Sequence, residues 1–143
     1  RAILLGHSRG NAIARAWARD APETVIGVVD LAGAAMPWPG GIDLQYRLAD
    51  TPLLGPLAAN AVSALVSEEY VEKAIAGIFR PQSPPIGFAC GVGAPLAVRP
   101  RTFLHNGRDV KNLKPFLAEL SQRYPNMTPP LEILHGLADP IAT

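Results

Sequence analysis

Residues 2–31 place an apolar run, a glycine-flanked turn, a helical stripe and a second apolar run in immediate succession, an order that leaves few folds open. Residues 2–5 are wholly apolar and end at Gly6, the pattern of a strand covered on both faces, as parallel strands are. Ala12, Ile13, Ala16 and Trp17 then recur at helical spacing in an alanine-rich segment that stops at Asp20-Ala21-Pro22. Residues 25–31 are largely apolar and β-branched, and close on Ala32-Gly33-Ala34. Strand, helix and strand joined in this way form a βαβ unit with parallel strands and a right-handed crossover, so the expected class is α/β.

The 143 residues suffice for one domain with a sizeable core, and a hydrophobic fraction of 48% suits a globular fold. Thirteen basic and 12 acidic side chains nearly cancel, which speaks against nucleic acid or an acidic membrane surface as partner and favours a small-molecule substrate. The single cysteine, Cys90, has no internal disulfide partner; buried packing is its expected role, and the cytoplasm is the favoured location. Pro, Gly and charges interrupt every apolar stretch before the roughly 18 residues that a membrane span needs. The three histidines and the acids lack a ligand spacing such as H-E-x-x-H, so neither a metal nor another cofactor is expected.

Between Met36 and about Pro130 the chain holds most of its 15 prolines and several helical stretches, but no convincing strand. Ser67 is placed to cap a helix whose one face carries Tyr70, Val71, Ala74, Ile75 and Ile78, with Glu68 and Glu69 near its positive end. Residues 80–100 are rich in Pro and Gly and read as a loop. Leu113, Leu117, Leu120 and Tyr124 form another helical stripe, in which Pro115 is tolerable only in the first turn. Pro129-Pro130 ends it ahead of a short apolar strand, 131–134, that leads to His135-Gly136 and Asp139. Asp43, Asp50 and Asp109 read as turn or capping residues.

Gly6-His7-Ser8-Arg9-Gly10 is a G-x-S-x-G between a buried strand and a helix. A turn that sharp needs minimal neighbours, hence glycine at both flanks; it lifts the Ser8 hydroxyl clear of the sheet. The backbone N–H of Arg9 then stands at the helix start, where it can donate to a developing oxyanion. The plainer alternative makes Ser8 a helix N-cap, a role that needs neither the second glycine nor the strand in front.

These residues resemble the nucleophile elbow of the α/β-hydrolase family, and Leu131-Glu132-Ile133-Leu134-His135-Gly136-Leu137-Ala138-Asp139 is similar to the family's late strand and the loop whose Asp orients the catalytic histidine. The resemblance is sharp over 2–34 and 129–140 and loose between. It implies one incomplete domain with a parallel-sheet core from 1–35 and 129–143, and a mostly helical cap or lid over 36–128. It implies Ser8 as nucleophile, Asp139 as triad acid and the Arg9 N–H in the oxyanion hole, acting through an acyl-enzyme on a carboxylic ester or related carbonyl. Trp38, Tyr46 and Phe88 are then candidates for an apolar substrate pocket, although packing in the cap core explains them equally.

A serine at the elbow speaks against relatives that cleave carbon–halogen bonds or epoxides with a carboxylate nucleophile. Lactonase, carbon–carbon hydrolase, cofactor-free perhydrolase and acyltransferase share the layout, and a non-catalytic ligand-binding protein of the same fold is the alternative from another class. The chain departs from the pattern in three places. The family's histidine follows the acid, yet the sequence ends at Thr143; His7, His105 and His135 read as structural, with His105 the least poor substitute. The second oxyanion donor belongs to a loop after an earlier strand, so the sequence reads as partial. Asn11 stands where many relatives carry a small residue, usually glycine. Asp30 is an alternative position for the acid, but reads better as a polar group satisfied at a strand end. The 143 residues expressed alone are expected to lack cooperative unfolding and ester hydrolysis, because the outer parallel strands would lack partners; circular dichroism during a denaturant titration and an esterase assay check this.

Overall fold

A computed structural model describes residues 1–41, 44–49 and 51–139 of the chain. Asp43 and Asp50 lie outside the described residues, as do 140–143. The contacts divide the chain into two compact units, Arg1–Pro39 with Leu113–Thr143, and Gly40–Asn112.

In the first unit, strand β1 (Ala2–His7), helix α1 (Arg9–Asp20) and strand β2 (Val25–Leu31) follow one another, and β3 (Leu131–Leu134) returns to the other side of β2. All pairings are parallel, in the order β1-β2-β3, so the class is α/β. His7 is level with Leu31, and Leu31 with Leu134. The three strands therefore end together, and Ser8, Ala32 and His135 emerge side by side at one edge of the sheet.

Helix α1 covers one sheet face through small residues. Ala14 and Ala18 pack with Val25 and Val28, joined by Leu4, Met127 and Leu131. A second cluster unites Ala12 with Leu117 and Leu120, both of which are wholly buried. The buried line of α1 is Asn11, Ala12, Ala14, Arg15 and Ala18. Of the apolar stripe read from the sequence, Ile13 is 62% and Trp17 54% exposed. The face that meets the sheet is chosen by close approach of alanines and by two polar side chains reaching the strand ends, so the bulkier apolar residues fall one position round the helix. Trp17 covers the adjoining turn instead, its Nε1 donating to Thr24 Oγ1 at 3.0 Å.

The second unit contains α2 (Leu44–Ala49), α3 (Leu54–Leu65), α4 (Glu68–Ile78), α5 (Phe88–Gly91) and the first part of α6 (Pro100–Ser121). Ser67 caps α4 as expected, its Oγ accepting from the Tyr70 N–H at 3.2 Å, with Glu68 and Glu69 in the first turn. Of that helix's apolar face only Ile75 is buried. Around the buried Ala49, α2 and α6 approach so closely that a Cβ at Gly107 would run into the Ala49 side chain.

The structure departs from four expectations, the first being the covering of β1 on both faces: Ile3 is 64% and Leu5 65% exposed, on the face away from α1. Residues 80–100 are not all loop: they carry α5 and a 3-10 turn, Ala94–Val98, with the Phe88 ring edge-on to Phe79 at 4.7 Å and 76°. Cys90 is exposed rather than buried, lying on α5, a single four-residue turn none of whose residues is buried. Pro115 lies inside a 22-residue helix and not in a first turn. Proline there removes a backbone hydrogen bond, yet the helix runs on through it to the wholly buried Leu117 and Leu120. Among the described residues, no helix is long and apolar enough to cross a membrane.

Truncating Leu117 to Ala in the full-length protein is expected to cost about 2–5 kcal/mol, because its site in the second cluster is closed. Ser67→Ala, which deletes an exposed cap, is expected to cost about 1 kcal/mol. Urea denaturation of both variants tests the ranking.

Candidate active site

Ser8 sits at the corner between β1 and α1 with φ 52° and ψ −125°, a conformation that costs a residue with a Cβ and persists only where its surroundings hold it. Its N–H donates to the Leu31 carbonyl at 3.3 Å, and its carbonyl accepts from Asn11 N–H at 3.1 Å and Ala34 N–H at 3.0 Å. The corner is thus tied to the end of β2, to α1 and to the loop after β2. A Cβ at Gly6 would strike the Asn11 backbone, so only glycine lets the helix fold back so tightly on the strand. Gly10 is different: a Cβ there meets nothing within 4 Å, which corrects the expectation that the turn needs both glycines.

The Ser8 side chain is exposed and makes no capping hydrogen bond, although Ser8 occupies the N-cap position of α1. That counts against the plainer N-cap role. Arg9 is the first residue of α1, which sets its N–H at the helix start. Next to the corner, Ala32 also has positive φ, 42°, and its N–H bonds to Leu134 O at 2.9 Å. Two strained residues therefore close the ends of neighbouring strands.

Between them opens a cleft of about 410 Å³, lined by Ser8, by residues 32–36 and Trp38, and by Ile133 and His135, with Arg15 and Asp30 also contributing. Arg15 Nη2 and Asp30 Oδ2 are 2.6 Å apart with side chains 5% and 2% exposed. The pair balances its own charge, leaving the cleft interior formally neutral. Asp30 is thus not merely satisfied at a strand end, as its sequence position had suggested. It is committed to Arg15, and Oδ1 has no hydrogen-bond partner. Asn11 is fully buried, donating from Nδ2 to the Ala34 carbonyl at 3.5 Å, and Gly33 lacks the Cβ that would collide with Asn11 and Asp30. The Asn11 side chain is accommodated by a glycine on the opposite loop.

Tyr124 completes the arrangement. Its ring lies 4.8 Å from Arg15 Cζ and its hydroxyl donates to the Ala35 carbonyl at 2.6 Å. Burial pushes its phenol above the ordinary value, an effect that neighbouring Arg15 only partly opposes.

On the loop after β3, Asp139 Oδ2 stands 3.8 Å from His135 Nε2, and the Asp139 N–H closes a turn onto Gly136 O at 3.1 Å. The cleft thus brings together Ser8, Trp38 and His135, with Asp139 beside the last. Tyr46 and Phe88 belong to the helical unit, as does His105 in α6. His7 is exposed at the end of β1. Among the described residues, no group of three or more His, Cys, Asp or Glu could hold a metal ion. Arg15 was overlooked as a site residue in the sequence. Only half of its signal was present: Asp30 is the one charged residue of an apolar strand, but Arg15 is one of three arginines on α1, beside Arg9 and Arg19. No protein-family model and no curated protein matches the chain.

The two glycines of the corner should respond oppositely to alanine. Gly6→Ala is expected to destabilise by about 1–3 kcal/mol or more, because backbone must move. Gly10→Ala is expected to be neutral or to stabilise by up to about 1 kcal/mol. Thermal denaturation of the two variants decides.

Proposed function

We propose that this chain carries the nucleophile and the acid of an α/β-hydrolase-type serine hydrolase, acting through an acyl-enzyme on small to medium neutral carboxylic esters or related carbonyls. The observation that carries the reading is the backbone of Ser8, strained, glycine-backed and clasped from three sides, with its hydroxyl left exposed at a cleft rather than spent on a cap. Strain of this kind is retained where the surroundings over-determine it, and it clusters at reacting groups. The parallel order β1-β2-β3, with Ser8 after the first strand and Asp139 after the last, is compatible with the same reading.

In this mechanism Ser8 Oγ attacks the carbonyl carbon as an imidazole oriented by Asp139 takes its proton. The oxyanion gathers hydrogen bonds that include the Arg9 N–H at the positive end of α1. Collapse of the tetrahedral intermediate expels the alcohol, which receives the proton from the imidazolium and leaves an ester on Ser8. Water, deprotonated by the same imidazole, then releases the acid; an acyl acceptor other than water would make the protein a perhydrolase or acyltransferase instead. The family pattern sets that imidazole beyond Asp139 in sequence. The apolar lining from residues 32–36, Trp38 and Ile133, over an ion pair of no net charge, favours an uncharged acyl group.

A fluorophosphonate is expected to label the full-length protein at Ser8, with labelling lost in Ser8→Ala. Asp139→Asn should lower kcat for an ester on the order of 10⁴-fold with the fold intact. Well-folded protein that resists labelling would favour a non-catalytic ligand-binding role.

A further inference from the structure

We propose that Tyr124 is a positioning residue for the Ser8 cleft, fixing the wall formed by residues 32–38 and thereby setting how large an acyl group the cleft accepts. The selectivity part rests on the hydrolase reading; the positioning part does not.

The wall is strained at its start, where Ala32 has φ 42°, so it needs holding from outside. Its first residues are held by the sheet and the corner: Ala32 N–H on Leu134 O at 2.9 Å and Ala34 N–H on Ser8 O at 3.0 Å. Asn11 adds only a long contact to Ala34 O, 3.5 Å. At Ala35 the hold is the Tyr124 hydroxyl, at 2.6 Å and from 89 residues away in sequence. Removing it would leave the part of the wall nearest Met36 and Trp38 without that anchor.

Tyr124 is suited to the task because it is itself immobilised. The Arg15 guanidinium lies 4.8 Å from its ring centroid, and Arg15 is locked by the buried 2.6 Å pair with Asp30. The arrangement is costly. Asn11 Oδ1, Arg15 Nε and Asp30 Oδ1 are buried without hydrogen-bond partners, and apolar side chains of similar volume commonly serve stability as well as a buried ion pair does. What apolar packing would not supply is direction: a planar cation fixing the orientation of a phenol whose oxygen must reach one carbonyl. The phenol is protonated at neutral pH as any tyrosine is, and burial raises it further, so it stays a donor throughout the range in which a histidine-dependent hydrolase works.

Tyr124→Phe keeps the ring and removes only the anchor, so it tests the proposal in the full-length protein. Hydrogen exchange of the backbone amides at 32–38 is expected to quicken about 5- to 10-fold relative to wild type, while amides in α1 stay unchanged. Against p-nitrophenyl acetate, butyrate and hexanoate, the kcat/KM ratio of hexanoate to acetate is expected to rise about 5-fold or more. A side chain of merely structural value would lower Tm and leave that ratio where it was. Unchanged exchange at 32–38 would overturn the positioning role. Faster exchange with an unchanged ester ratio would overturn the selectivity role alone. Wild-type protein inert to the esters and to fluorophosphonate would overturn the hydrolase reading and the selectivity role with it, while the exchange measurement would still decide whether Tyr124 holds the wall.

Discussion

The carbonyl of Ser8 accepts two backbone N–H groups, one from α1 and one from the loop after β2, and much of the first unit follows from that junction. A residue with a Cβ does not hold φ 52° unaided. The level strand ends, the missing Cβ at Gly6 and the return of the chain at Ala34 together make the conformation the least costly one available. Behind the corner Asn11 is wholly buried, while Ser8 itself is left exposed.

The interface between α1 and β2 carries charge where helix-on-sheet packing ordinarily carries none. Arg15 and Asp30 join across it, and their pairing orients helix against strand while leaving the cleft formally neutral. A buried ion pair with unsatisfied atoms gives little net stability. Its physical contribution is angular: the guanidinium fixes Tyr124, Tyr124 fixes Ala35, and the wall of the cleft inherits its position from a chain of rigid planar groups.

Most elements of this unit were legible in advance because they rest on local patterns. The limits of β2 and β3 matched their apolar runs, and the cap at Ser67 followed from side-chain chemistry within one turn. Ile13 and Trp17 faced outward because hydrophobicity does not say which side of a helix comes close to a sheet; the size of Ala14 and Ala18 does. Pro115 lies in a helix interior rather than a first turn, and the burial of Leu117 and Leu120 just beyond it offsets one lost hydrogen bond. Of the site, Ser8 announced itself through its glycine-framed turn, whereas Arg15 and Tyr124 did not, since their roles depend on partners that are distant in sequence.

Sequence by itself determined the order of strand, turn, helix and strand, the parallel pairing that follows from it, and the serine at the corner, all of which depend on neighbours a few residues apart. Tertiary structure alone decided which face of α1 is buried, that Asp30 is spent on Arg15, that Gly6 is sterically required while Gly10 is not, and that Ala35 hangs from Tyr124. The division is physical. Propensity and turn sterics act within the reach of a few bonds, whereas close approach and charge pairing exist only after distant segments have met.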